Sequence, residues 1–238
     1  MRLLVTRPAE DAAELAERLH GLGIETILAP LFTIEPLAGA AVNLAGVQAI
    51  IFTSANGVRA FAQACRERSY PVFAVGQATA GAARKAGFAR IESAGGDVSD
   101  LARLITSQLD PADGALYQAS GRDVAGDLKG ALEGVGFTLR REVLYRAEVA
   151  AGLPAPVVEA MRVRTLDGVL LFSPRTGVEF VKLVLAAGLE ESLSVMYAYC
   201  LSQSIADKVA CVRWRDVRVP ADPSQQSLLD LVAEDLPR

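Results

Sequence analysis

Residues 72–87 read Val72-Phe73-Ala74-Val75-Gly76-Gln77-Ala78-Thr79-Ala80-Gly81-Ala82-Ala83-Arg84-Lys85-Ala86-Gly87. The four apolar residues at the front suit a short strand buried on both faces. Gly76 permits a sharp turn where a side chain would clash. The Ala-rich run near Thr79 predicts a helix, and Gly87 its stop. A helix that starts at the carboxyl end of a strand points unpaired N–H groups out of the sheet edge. Such an edge takes an anion without any Lys or Arg. Alone, the stretch is equally one βα turn of a doubly wound domain, which has several such turns and usually one pocket.

The stretch recurs. Near the other end the chain reads Met196-Tyr197-Ala198-Tyr199-Cys200-Leu201-Ser202-Gln203-Ser204-Ile205-Ala206-Asp207. At constant offset, residues 76–80 fall on residues 202–206. The repeat extends outward. Residues 4–34 match 116–147, with Gly23 on Gly136 and Phe32 on Tyr145. Phe52-Thr53-Ser54 matches Leu171-Phe172-Ser173, and residues 72–104 match 195–232.

Strands are predicted at 3–6, 24–28, 48–53, 72–75, 89–93, 115–119, 137–147, 168–172, 194–201 and 216–219. Helices are predicted at 11–22, 58–66, from about 79 to 87, from 97 or 99 to 108, and at 127–134, 157–163, 178–187, 204–211 and 224–234. Residues 54–58 and 173–177 read as turns, with Ser54 or Asn56 able to cap the first of the helices that follow them. Residues 31–36 continue extended, and 37–43 read as a linker. Strand–helix alternation throughout means α/β with parallel sheets. The duplication predicts two similar domains, each a small open parallel sheet of four strands flanked by helices. A two-stranded extended linker near 31–37 and 143–150 joins them. If the chain crosses over there, residues 1–34 with 149–238 form a discontinuous domain, and residues 37–146 a continuous one. Ser54, Gly76, Thr79, Ser173 and Ser204 would then line a cleft at the carboxyl ends of both sheets.

Composition narrows the chemistry. The 238 residues suffice for two small cores. A net charge of −4 lacks the basic excess of a nucleic-acid binder. One histidine and three cysteines without a C-x-x-C pair make no zinc constellation. His20 reads as a solvated residue near a helix end, and the cysteines as small hydrophobes in a reducing, cytoplasmic compartment. No apolar run reaches membrane-spanning length, and Met1 opens a strand rather than a signal peptide. Neither G-x-G-x-x-G nor G-x-x-x-x-G-K-[ST] occurs, which argues against a nucleotide enzyme.

Together these segments resemble the uroporphyrinogen-III synthase family. The carrying residues are Val5-Thr6-Arg7-Pro8, Ile51-Phe52-Thr53-Ser54-Ala55-Asn56-Gly57-Val58, Ala74-Val75-Gly76-Gln77-Ala78-Thr79-Ala80, Leu144-Tyr145-Arg146 and Phe172-Ser173-Pro174-Arg175-Thr176-Gly177. The resemblance covers essentially the whole chain. It implies two α/β domains and an enzyme, a cyclising hydro-lyase. Such an enzyme converts the linear tetrapyrrole hydroxymethylbilane into uroporphyrinogen III, losing water and inverting ring D. No cofactor or metal is implied. The implied partners are that small-molecule substrate and hydroxymethylbilane synthase as its donor, with a monomer as the working state and neither nucleic acid nor membrane involved.

The resemblance assigns Tyr145 as an acid that helps hydroxide leave, or as a positioning group. A phenol with an ordinary pKa of about 10 stays protonated and can donate. A tyrosine packing a linker strand is the structural alternative. Thr79 follows the glycine turn as the family's threonine does, and equally reads as a helix cap. Ser54 and Ser173 offer hydroxyls or cap their helices. Arg7, Arg122 and Arg175 follow strands, where they either pair with substrate carboxylates or are solvated. Gly76 and Ser202 mark the two anion-binding turns. The second departs from the family's I-G-x-T-T-A: Ser202 is expected to restrict the turn, Ile205 removes a hydroxyl, and Ser204 keeps one. The alternative function is a non-catalytic two-lobed protein that binds an acidic tetrapyrrole-like ligand.

Overall fold

The computed structural model describes residues 1–37, 39, 41–123 and 126–236, so part of the linker expected at 37–43 lies outside the described residues. In chain order the strands are β1 (Arg2–Val5), β2 (Glu25–Leu28), β3 (Phe32–Pro36), β4 (Val47–Phe52), β5 (Val72–Ala74), β6 (Ile91–Ser93), β7 (Ala115–Gly121), β8 (Leu139–Val149), β9 (Gly168–Leu171), β10 (Tyr197–Cys200) and β11 (Asp216–Arg218). The α-helices are α1 (Ala9–Gly21), α2 (Ala55–Ala64), α3 (Gln77–Lys85), α4 (Val98–Gln108), α5 (Leu128–Glu133), α6 (Ala155–Arg162), α7 (Pro174–Ala186), α8 (Glu190–Leu193), α9 (Gln203–Val209) and α10 (Gln225–Glu234). The chain divides into two compact units. One comprises Met1–Thr33 and Glu148–Arg238, the other Ile34–Ala147.

The first unit holds a five-stranded sheet in the order β11-β10-β9-β1-β2, with every adjacent pair parallel. The second holds a six-stranded sheet, β3-β8-β7-β4-β5-β6, in which β8, β7, β4, β5 and β6 are parallel. Aligned on their centres, the sheets match strand for strand: β9, β10, β11, β1 and β2 correspond to β4, β5, β6, β7 and β8. The repeat is therefore topological, with β3 added outside β8. Four strands per half was too few. The ten strands predicted along the chain distribute five to each sheet, and the extended stretch at 31–36 supplies β3, the sixth strand of the second.

Each sheet is buried by helices on its faces. In the first unit Leu3, Val5 and Leu170 of the sheet meet Leu15 and Leu19 of α1 and Leu228 and Val232 of α10. In the second unit one face packs Phe52 and Tyr117 against Phe61 of α2 and Phe88 beyond α3, with edge-on and tilted rings 5.7–5.9 Å apart. Edge-to-face contacts of this kind add to what area burial alone supplies. The other face packs Ile51, Phe73 and Leu116 against Leu101 and Ile105 of α4 and Leu128 of α5.

Three boundaries differ from expectation. α2 and α7 begin at Ala55 and Pro174, several residues before the predicted starts. The stretches read as turns are first helical turns. Ser54 and Ser173 take extended backbone and each accepts a backbone N–H through Oγ, from Gly57 and Thr176, both at 3.1 Å. That is the N-cap arrangement, with Pro174 tolerated where no N–H is needed. Asn56 is inside α2 and accepts from Arg59 instead of capping. The strand expected at 194–201 starts at Tyr197, because the short helix α8 and a turn precede it.

Candidate functional site

In open α/β sheets ligands bind outside the carboxyl ends of strands where the strand order reverses. In the second unit that place lies between β4 and β7. β4 delivers Ser54 at the start of α2, and β7 delivers Gly121 and Arg122. β8 slips register between Ser120 and Gly121, so that Tyr145 is paired with Gly121. The ring of Tyr145 lies against Gly121. A Cβ there would stand 2.8 Å from the ring carbons and 3.1 Å from the phenol oxygen. Only glycine admits the ring at that distance. The Tyr145 hydroxyl meets Ser54 Oγ at 2.8 Å, and either oxygen can donate. Ser54 thus caps α2 and holds the phenol at once. Tyr145 is 8% exposed.

Arg122 stands beside this pair. Its backbone N–H donates to the Tyr145 carbonyl at 3.1 Å. Its side chain is exposed and makes no hydrogen bond or ion pair among the described residues. The other two arginines are differently placed. Arg7 donates to Gln225 Oε1 at 2.8 Å, pairs with Asp11 at 3.4 Å and lies over the Phe172 ring at 4.6 Å. Arg175 lies over the ring of Phe32 at 4.7 Å.

The first unit repeats the arrangement with different chemistry. Phe32 occupies the position of Tyr145, and Ser173 that of Ser54. Without a phenol to meet, Ser173 Oγ shares a 2.7 Å hydrogen bond with Thr176 Oγ1.

The duplicated turns at Gly76 and Ser202 also differ from their neighbours. Among helices that directly follow β4, β5, β9 and β10, α2 and α7 have serine caps. α3 and α9 have neither a side-chain cap bond nor an acid in the first turn. Their leading N–H groups stay available to an anion, and the helix dipole favours one. Gly76 is not required for a sharp turn, however. Its φ is −159°, ordinary extended backbone, and a Cβ there meets nothing within 4 Å. Ser202 has the same backbone, with φ −149°, and does not restrict its turn. Ser202→Gly is accordingly expected to lower stability by no more than about 1 kcal/mol, through chain entropy alone. The turn itself should not change, so kcat should stay unchanged and any loss of the Ser202 hydroxyl should show in KM alone; a gain in kcat would restore the restricted-turn expectation.

Thr79 is the third residue of α3 and not its cap; Gly76 holds the cap position. Thr79 is nonetheless buried, and its hydroxyl makes no hydrogen bond among the described residues. The equivalent Ile205 is 1% exposed and packs toward Gly177 of α7. Ser204 is exposed and shares a 2.9 Å hydrogen bond with Ser202.

The remaining buried titratable groups are built into the cores. Tyr117 donates to Glu142 Oε2 at 2.7 Å, and burial and then that carboxylate raise its pKa well above an ordinary phenol. Burial, then Asp235, does the same for Tyr199. Burial pushes the Cys200 thiol up to about 12. Among the described residues no three His, Cys, Asp or Glu side chains gather as a metal site would. Among the same residues no helix is long and apolar enough to cross a membrane. Sequence reasoning named Tyr145, Ser54 and Arg122 separately. It missed Gly121, because nothing local marks a glycine that makes room for a ring 24 residues later.

The family model described as Uroporphyrinogen-III synthase HemD matches residues 13–230. No curated protein matches the sequence. Among solved structures, the uroporphyrinogen-III synthetase of Helicobacter pylori 26695 superposes with a TM-score of 0.63 at 15% identity, over 98% of this chain and 99% of that one. A mutant uroporphyrinogen III synthase of the extremely thermophilic bacterium Thermus thermophilus gives 0.58 at 17% identity, over 98% and 96%.

Proposed function

The chain belongs to the uroporphyrinogen-III synthase family, and from that premise we propose how its residues carry the reaction. Family and fold match this enzyme of tetrapyrrole biosynthesis, and a non-catalytic binding protein is not favoured. In our reading the chain is a cyclising hydro-lyase acting on hydroxymethylbilane. The observation that supports it best is the Tyr145–Ser54 hydroxyl pair, 2.8 Å apart, at the strand-order reversal of the second unit.

The substrate carries a hydroxymethyl group on a pyrrole. Protonation of that hydroxyl lets it leave as water, with the pyrrole nitrogen supplying the electron pair. The resulting cationic methylene is attacked by the substituted carbon of ring D, whose bond to its existing methylene bridge then breaks. The cationic methylene so released is captured by the free α-carbon of ring D, which inverts the ring. The proton that carbon loses replaces the one first donated, so that only water is lost overall. Tyr145 gives the proton, and Ser54 orients the phenol toward it. The rest of the task is positioning, since closure without inversion gives the other isomer. The substrate's carboxylate arms suit the uncapped α3 terminus with Thr79 and Gly76, the unengaged Arg122, and the α9 terminus with Ser202 and Ser204. Ser173, Arg175 and Arg7 are weaker candidates, because each is already engaged within its own unit. We also propose that the two units fold as domains and that the protein works as a cytoplasmic monomer. Substrate would reach it from hydroxymethylbilane synthase without dissociating far.

The test is isomer analysis. Fresh hydroxymethylbilane is given to the purified chain, and the oxidised porphyrins are separated into types I and III. Dominant type III is expected. Type I alone, at the rate without protein, would leave the fold without the reaction.

A further inference from the structure

Arg141 of β8 lies on the opposite face of the sheet from Tyr145 and was not singled out by any motif. Its guanidinium reaches across to the end of β7. Nε donates to Ser120 Oγ at 2.9 Å, and Nη2 to the carbonyls of Gly121 at 2.9 Å and Arg122 at 2.8 Å. One side chain thus grips three consecutive residues. Ser120 Oγ passes the connection on to the Glu142 carbonyl at 3.3 Å.

These three residues are the ones that shape the candidate site. Gly121 is the surface against which the Tyr145 ring rests, and Arg122 is the unengaged cation beside it. The grip comes just where the β7–β8 register shifts, between Ser120 and Gly121. Past that irregularity the β7 end is held to β8, Arg141 aside, by the Gly121–Tyr145 pairing and the Arg122 N–H bond to the Tyr145 carbonyl. Without Arg141 the Gly121 and Arg122 carbonyls would turn to water, and the segment would be held on one side only. The planar fork of an arginine supplies several donors in fixed directions, which a lysine ammonium does not reproduce.

We propose that Arg141 is a positioning residue: it holds Ser120, Gly121 and Arg122 so that the Tyr145 phenol stays on Ser54 and Arg122 faces the substrate. The inference rests on the synthase reading above. It predicts a defect in turnover that is routed through Tyr145, with little cost to stability, because Arg141 is itself largely exposed.

The experiment combines Arg141→Gln and Arg141→Lys with Tyr145→Phe. Wild type is assayed first, and a wild type that forms no type III product overturns the synthase reading itself. With an active wild type, Arg141→Gln is expected to lower kcat about tenfold with a melting temperature within about 2 °C, and Arg141→Lys is not expected to rescue it. Arg141→Gln added to Tyr145→Phe should cost no more than about twofold further, the non-additivity of groups that act as a unit. The Tyr145 13Cζ resonance, assigned by its loss in Tyr145→Phe, should shift or broaden in Arg141→Gln while those of the other tyrosines stay put. Wild-type kcat in Arg141→Gln, full additivity in the double variant, or an unmoved Tyr145 resonance would each overturn the proposal.

Discussion

Tyr145→Phe lowers kcat for type III product about 100-fold and leaves KM within about threefold of wild type, the pattern for a group that acts in the transition state. The reason is geometric. Phenylalanine keeps the ring against Gly121, so packing survives; what is lost is one oxygen, 2.8 Å from Ser54 Oγ. Ser54 gives the companion result. Ser54→Ala removes both the phenol's partner and the cap bond to Gly57, so it should lower kcat about tenfold and also cost about 1 kcal/mol of stability. Single-turnover assays with isomer separation distinguish these effects from loss of fold. If Tyr145→Phe retains kcat within about threefold of wild type, the phenol supplies no proton and its role is packing.

Gly57→Ala is the second large effect, and it is structural at its origin. Gly57 sits in the first turn of α2, where a Cβ would lie 2.7 Å from the carbonyl oxygen of Ala119. That oxygen belongs to the central strand β7 and has no flexible side chain behind it to give way. α2 must lift from the sheet, and Ser54 must move with it. Overpacking of this kind costs about 1–3 kcal/mol. We expect about 2 kcal/mol and a melting temperature lower by about 5 °C, from roughly 2–4 °C per kcal/mol in a chain this size. Activity should fall beyond the loss of folded protein, because the Ser54–Tyr145 pair is stretched. At Gly177, the closest approach is instead a methyl group of Val209 at 2.9 Å. Gly177→Ala should therefore be milder, since a side chain can rotate where a backbone carbonyl cannot. Equal losses at the two glycines, measured by calorimetry, would contradict this account.

The two halves explain each other's departures. Where the second unit places Tyr145 on Ser54, the first places Phe32 under Arg175. Where the second unit leaves the Thr79 hydroxyl without a hydrogen bond among the described residues, the first buries Ile205. At these two positions one unit carries polar groups, while the other carries apolar side chains that pack.

The α/β class, the duplication and the pairing of Gly76 with Ser202 were legible in the sequence. They rest on signals that are local and periodic: buried parallel strands are apolar runs, helices end at glycines, and a duplicated chain repeats both. Capped first turns were less visible, because serine and proline serve turns and helix starts alike. What only the tertiary structure decided is contact between residues far apart in the chain. Ser54 meets Tyr145 across 91 positions, Gly57 abuts β7, and Arg141 grips the end of its neighbouring strand. The extended backbone at Gly76, which removes the reason for a glycine there, belongs to the same class. Sequence spacing specifies which face of a strand a residue takes, but register and the bulge between β7 and β8 settle which side chains meet.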